Sequence, residues 1–359
     1  MIKSETFKPF LLAEAKAHPS MQPRDAVKLC FQAAFGAEHL IADEAAARRY
    51  LEKEYAETPA DASVPLFSRI AENCVRVNLA AWKAQNIPLS WLENLFLASA
   101  QENAAKSDEE KHASFAEAIF SARELAREGV LSFPCDAFDA FWAQEFAEDI
   151  HAVHHSDVYR VKEKPAYRIV SGTYVRILPL FASLARLASA PFPACAAIDG
   201  RCASGKSTVG AQLAAITGAG LVHMDDFFPR METRDPRRLA EPGGNIDYTR
   251  FCIEVLPHLR SRRAFSYPTF DCDVMAVRGV REVAGGNLRI VEGSYSHHPY
   301  FDGYAALRIF SDIDPEAQMA RILIRNGEES AKMFRTRWIP MEEKYFSAFS
   351  IREKADIRI

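Results

Sequence analysis

The chain has 359 residues, 48% apolar and 26% charged, a globular composition with room for two or three domains. A formal net charge of −4 argues against a general binder of nucleic acid or of a membrane surface. With no run near the ~20 apolar residues of a membrane span, no apolar leader after Met1, and seven scattered cysteines in no metal-ligand spacing, a cytoplasmic protein with reduced thiols is expected.

Residues 1 to 188 read as an all-helical domain. Ala, Leu, Glu, Lys and Arg dominate, and apolar residues recur at three and four. Helices are expected over Asp25–Phe35, Asp43–Tyr55, Val64–Lys83, Trp91–Ala100, His112–Glu128, Ala137–Ile150 and Gly172–Ala188. Pro59, Pro65, Pro88 and Pro134 fall between them. The chemistry here is faint. His151, His154 and His155 lie close to Asp157, with Glu38 and His39 far upstream. On a helix His151 and His155 would share a face, but no third metal ligand can be assigned, and a structural role is the alternative. Arg76, Asn78 and the basic-aromatic stretch Tyr159–Arg168 offer either a ligand contact or a solvated face. The two prolines in Pro191-Phe192-Pro193 disfavour helix on both sides and mark the boundary to a second domain, 194–359.

That domain opens on a short apolar run, Cys195-Ala196-Ala197-Ile198, which reads as a buried strand. Gly200-Arg201-Cys202-Ala203-Ser204-Gly205-Lys206-Ser207 follows and fits G-x-x-x-x-G-K-[ST] at every fixed position. From Thr208, Val209, Leu213 and Ile216 are spaced as one face of a helix. Strand, glycine loop and helix together make an anion cradle. The loop N–H groups point inward and the helix N-terminus is positive. In such a loop Lys206 reaches the β- and γ-phosphates, and the Ser207 hydroxyl can ligate Mg²⁺. Gly220–Met224 reads as the next strand and delivers Asp225 to its carboxyl end, where ligands sit in open α/β sheets. A carboxylate there could serve as general base for a substrate hydroxyl; a helix N-cap or an outer Mg²⁺ partner is the alternative.

Ile198 through Thr208, followed by His223-Met224-Asp225-Asp226-Phe227-Phe228, resembles the uridine kinase-like family of P-loop kinases, with its phosphoribulokinase and bacterial pantothenate kinase relatives. The resemblance spans about residues 194–359. It implies a parallel sheet flanked by helices, the use of ATP and Mg²⁺, and phosphorylation of a small-molecule hydroxyl with Asp225 as the base. It also implies substrate contacts from Asp226, Asn245, Asp247, Tyr267 and Phe270, although an aromatic wall at Tyr267 and Phe270 could equally be core packing.

Leu288–Gly293 reads as a strand ending in Glu292. By resemblance Glu292 holds Mg²⁺ with Ser207; an N-cap is the alternative. A helix is expected from Pro315, with Arg321 and Arg325 on one face; Arg335 and Arg337 follow a bend at Asn326-Gly327. These four resemble the family's lid, whose arginines close over the transferred phosphate; a solvated basic helix is the alternative. Lys354–Ile359 resembles the family's last strand.

The expectation is therefore an all-helical domain followed by an ATP- and Mg²⁺-dependent kinase of a small-molecule hydroxyl. A nucleoside is the leading acceptor, and pantothenate, a sugar or a sugar phosphate the alternatives. A nucleotide-gated binding module is the rival of another class. No nucleic-acid or membrane partner is expected, and oligomeric state is not legible.

Overall fold

A computed structural model describes residues 2–37, 43–272, 274–301 and 303–359. The chain divides into two compact units, 1–179 and 180–359. The boundary therefore precedes Pro191-Phe192-Pro193, and the helix before those prolines belongs to the second unit.

The first unit is largely helical: α1 (Ser4–Ala17), α2 (Pro23–Phe35) and α3 (Glu44–Glu57), then α4 (Leu79–Ala84), α5 (Leu89–Ala104), α6 (Asp108–Arg127), α7 (Cys135–Glu145) and α8 (Asp157–Glu163). Start signals are written in the sequence. Pro23 occupies the first turn of α2, where Gln22 and Asp25 form a reciprocal capping box. The unit is not all-helical, however. Phe67–Ala71 (β1), Cys74–Asn78 (β2) and Tyr167–Ser171 (β3) form an antiparallel sheet in the order β1-β2-β3. The helix expected over Val64–Lys83 is thus a hairpin running into α4. Cys-Val-Arg-Val is buried on both faces, so its side chains show neither period clearly, and two β-branched residues favour the strand.

The second unit begins with α9 (Phe181–Ala188), which packs against the strands that follow. Five parallel strands form its sheet: β4 (Ala194–Gly200), β5 (Gly220–His223), β8 (Leu288–Glu292), β9 (Leu307–Ser311) and β10 (Ile357–Arg358). Their order is β10-β9-β4-β8-β5. From β4 the chain crosses over the place of β8 to reach β5, then fills that place, then continues on the far side of β4. The order reverses at β4, and a crevice opens beyond its carboxyl end. α10 (Lys206–Thr217) lies directly after it. Between β5 and β8 the chain inserts α11 (Pro236–Leu239), α12 (Tyr248–Glu254), α13 (Leu256–Leu259) and a hairpin of β6 (Phe265–Asp271) and β7 (Ala276–Val283). α14 (Pro315–Met333) and α15 (Ile339–Phe349) complete the unit. α14 is capped by Asp314 and bent at Gly327, whose φ of 77° breaks the helical run at the expected place.

Candidate active site

Everything at the end of β4 depends on close approach. Gly200 has φ 138°, and a Cβ there would lie 2.0 Å from the Ser311 carbonyl on β9. Gly205 sits at φ 93° as it hands the chain to α10. Only glycine fits both conformations without strain. Asp199, fully buried, fixes the loop from below. It accepts the Gly200 amide at 2.7 Å, the Tyr295 and His297 amides, and the Tyr345 hydroxyl at 2.8 Å. One carboxylate thereby ties β4, the segment after β8 and α15 together. Sequence reasoning passed over it because it precedes the motif.

The loop opens onto a cavity of about 870 Å³. Cys202, Ala203, Gly205, Lys206, Ser207 and Thr208 line it, as do Asp225, Glu292, Arg321 and Arg325. The Lys206 ammonium is folded onto its own loop, donating to the carbonyls of Gly200 at 2.7 Å and Arg201 at 2.8 Å. The Ser207 hydroxyl donates to Glu292 Oε2 at 3.1 Å, and the other Glu292 oxygen pairs with His223 Nδ1. A hydroxyl beside a carboxylate is an oxygen donor pair suited to Mg²⁺, which keeps several waters and takes its remaining ligands from phosphate. Among the described residues no group of three His, Cys, Asp or Glu side chains is gathered as a metal site. Gly210 lets α10 lie against this pair, since a Cβ there would meet Glu292 Cγ at 2.9 Å.

Asp225 is open to the cavity, yet the surrounding walls displace enough water to raise its carboxyl pKa. The nearby Glu292 carboxylate raises it further, and the Lys206 ammonium opposes both. Asn245 and Phe270 also reach the cavity.

Other expected residues are placed elsewhere. Asp226 does not line the cavity. It accepts the Tyr267 hydroxyl at 2.9 Å and Arg281 Nε at 2.7 Å, so an ion pair and a buried phenol occupy it. Tyr267 is 1% exposed, packs against Phe227, and is core rather than pocket wall. Asp247 caps α12 by accepting the Arg250 amide. Arg201 turns its side chain to Glu343 at 2.9 Å, so its side chain is directed to that surface pair. Arg335 and Arg337 are exposed on a wide π-type turn, Phe334–Trp338. Phe334 and Trp338 of the same turn line the cavity in their place, and Arg337 lies over the Trp338 ring.

Sequence reasoning missed Glu342, Arg234, His223 and Ser294. Glu342 Oε2 accepts the Cys202 amide at 2.9 Å, and Oε1 accepts the Ser294 hydroxyl at 2.6 Å. Burial beside Glu342 pushes the Cys202 thiol up to about 12, so it is no nucleophile at neutral pH.

In the first unit the histidines do not converge. Their segment follows the end of α7 at Glu145, so no helical face unites them. His151 pairs with Glu145 and Asp149, His155 with Asp25 and the Tyr167 hydroxyl, and His154 is exposed. Glu38 and His39 lie outside the described residues. Arg76 is buried in an ion pair with Glu14, and Asn78 caps α4. Among the described residues no helix is long and apolar enough to cross a membrane.

No protein-family profile matches the chain, and no curated protein matches it. Solved structures resemble about half of it. A possible uridine kinase from Bacillus stearothermophilus is 16% identical, with 48% of this chain and 90% of that one covered, at a TM-score of 0.37. A protein described as a fructose transport system kinase from Silicibacter sp. TM1040 is 22% identical over 48% and 91%, at 0.39. D-glycerate 3-kinase from Cryptococcus neoformans var. grubii is 17% identical over 45% and 84%, at 0.33. Similarity this distant carries no argument about activity.

Proposed function

We propose that the second unit is an ATP-dependent kinase that transfers a γ-phosphoryl group to the hydroxyl of a small molecule. One observation carries the reading: a phosphate-binding loop, a Ser–Glu oxygen pair, a carboxylate with raised pKa and two arginines line a single cavity. The acceptor oxygen attacks the γ-phosphorus as the bond to the β-phosphate oxygen breaks. The hydroxyl proton passes to Asp225, and ADP leaves. The loop amides and Lys206 bind the phosphates, which requires Lys206 to exchange its two loop carbonyls for phosphate oxygens. Arg321 and Arg325 offset charge on the transferring group. Ser207 and Glu292 would hold Mg²⁺, which supplies charge neutralisation between the phosphates.

Resemblance alone favours a nucleoside acceptor. The inward turn of Tyr267, the aromatic that would stack on a base, weakens that choice. The test is ATP consumption with mass detection of a product 80 Da heavier (about one HPO₃), across nucleosides, pantothenate, sugars and sugar phosphates. ATP binding with no product from any of them would instead mark a nucleotide-gated module.

A further inference from the structure

The acceptor's chemistry can be read from two polar side chains that the protein leaves unmatched; the inference takes its meaning from the kinase reading but not its test. Both come from the segment inserted between β5 and β8. Asn245 is 4% exposed and lines the cavity, and its Oδ1 has no hydrogen-bond donor. A buried amide oxygen left so is costly, and is supported when a bound molecule supplies the donor. Arg234 lines the same cavity. Its Nε is buried without an acceptor, and its Nη1 meets the Met275 thioether at 3.7 Å, a weak acceptor.

Two other arginines of that insertion are engaged in the protein itself. Arg250 holds Glu254 and two backbone carbonyls, and Arg281 holds Asp226. Among the described residues no carboxylate pairs with Arg234. Its surroundings sharpen the point. The cavity already holds the carboxylates of Asp225, Glu292 and Glu342, and a nucleotide brings more negative charge. A second anion could enter only beside a cation of its own. A planar guanidinium whose Nε has no acceptor and whose Nη1 meets only a thioether matches a carboxylate or phosphate geometrically.

We infer that the acceptor is a small anionic polyol. Its carboxylate or phosphate ester is held by Arg234, and one of its hydroxyls donates to Asn245 Oδ1. The apolar rings of Phe228 and Phe270, 6.3 Å apart, flank the carbon skeleton.

Three probes separate the possibilities on one skeleton: D-ribose, D-ribonate and D-ribose 5-phosphate, with uridine as the nucleoside control. Each is titrated into the full chain with the phosphate loop filled by a non-hydrolysable ATP analogue, and melting temperature is recorded. Ribonate or ribose 5-phosphate should bind about tenfold more tightly than ribose or uridine, as charged hydrogen bonds dictate. Arg234→Gln should erase that preference while leaving analogue affinity unchanged. Whichever anion wins tells carboxylate from phosphate. Equal or tighter binding of ribose or uridine overturns the inference and leaves the kinase standing. So does a charge preference that survives in Arg234→Gln. A variant that loses the analogue instead assigns Arg234 to the nucleotide and also overturns it. Failure of the analogue to stabilise the wild type sinks the kinase reading alone, because the charge preference is then read without it.

Discussion

The carboxylate of Glu342 accepts the backbone amide of Cys202 at 2.9 Å, so an anion from α15 already sits at the mouth of the phosphate loop. It is 6% exposed and is held from the other side by the Ser294 hydroxyl. A triphosphate entering the cradle must displace or tolerate this charge, since the same inward amides that favour phosphate favour a carboxylate. Glu342→Gln keeps the shape and removes the charge. It should tighten ATP binding several-fold, on the order of 1 kcal/mol for one like-charge contact at a cavity open to solvent, in a titration with a fluorescent ATP analogue. Weaker binding would instead place Glu342 among the groups that hold the nucleotide's cation.

Lys206 tests the cradle from the opposite sign. Its ammonium is 8% exposed and bridges two loop carbonyls, so it also braces the loop. Lys206→Ala should abolish measurable ATP consumption, a loss on the order of 10³-fold or more for a phosphate-clamping cation. Lys206→Arg should not rescue it, because a forked guanidinium cannot fit the space of a single ammonium. Circular dichroism matching the wild type would assign the loss to the phosphates rather than to folding.

On the proposed reading, in which Asp225 is the base, it sets the pH dependence. Loss of water and then the Glu292 carboxylate raise its pKa, so it accepts a proton at higher pH than an ordinary aspartate near 3.9. The base must be ionised to act. Activity is therefore lost as pH falls through the raised value, and the acid limb of kcat/KM should lie above that of an ordinary aspartate. Asp225→Asn should lower kcat by roughly 10²- to 10⁴-fold with ATP affinity retained. Stopped assays from pH 4 to 9 and an ATP titration check both; full turnover in the variant would remove Asp225 from the base role.

How far the sequence could be read depended on where each signal resides. The glycine loop is local: its glycines, lysine and serine act through a contiguous backbone, so spacing alone located the strand–loop–helix turn of Gly200 to Thr208. The position of Asp225 and Glu292 on the cavity wall was legible because each ends an apolar run, and strand ends face the crevice. Asp226 shows the limit. It adjoins Asp225 and has the same chemistry, but its partners Tyr267 and Arg281 are distant in sequence. Glu342 is another case, since nothing around Met341 to Lys344 announces that the helix after Arg335 and Arg337 returns to the loop. The first unit's hairpin escaped because Cys74 to Val77 is wholly buried, and burial on both faces removes the alternation that betrays a strand.

That hairpin carries an ionic contact whose removal is measurable. Arg76, 6% exposed on β2, pairs with Glu14 on α1, donates to Gln32 at 2.8 Å, and lies over the Tyr167 ring at 4.5 Å. Burial opposes its charge, while Tyr167 and Glu14 support it, and the balance raises its pKa. Breaking one side of such a pair leaves an uncompensated buried charge, which costs about 3–5 kcal/mol. Glu14→Ala should therefore destabilise the first unit by that amount. Replacing both partners, Glu14→Leu with Arg76→Met, should recover most of the loss, because an apolar pair removes both desolvation penalties. Urea unfolding followed by tryptophan fluorescence checks this, since Trp82, Trp91 and Trp142 belong to the first unit and Trp338 to the second. If the single variant unfolds with the wild type, Arg76 is stabilised by Tyr167 and Gln32 rather than by Glu14.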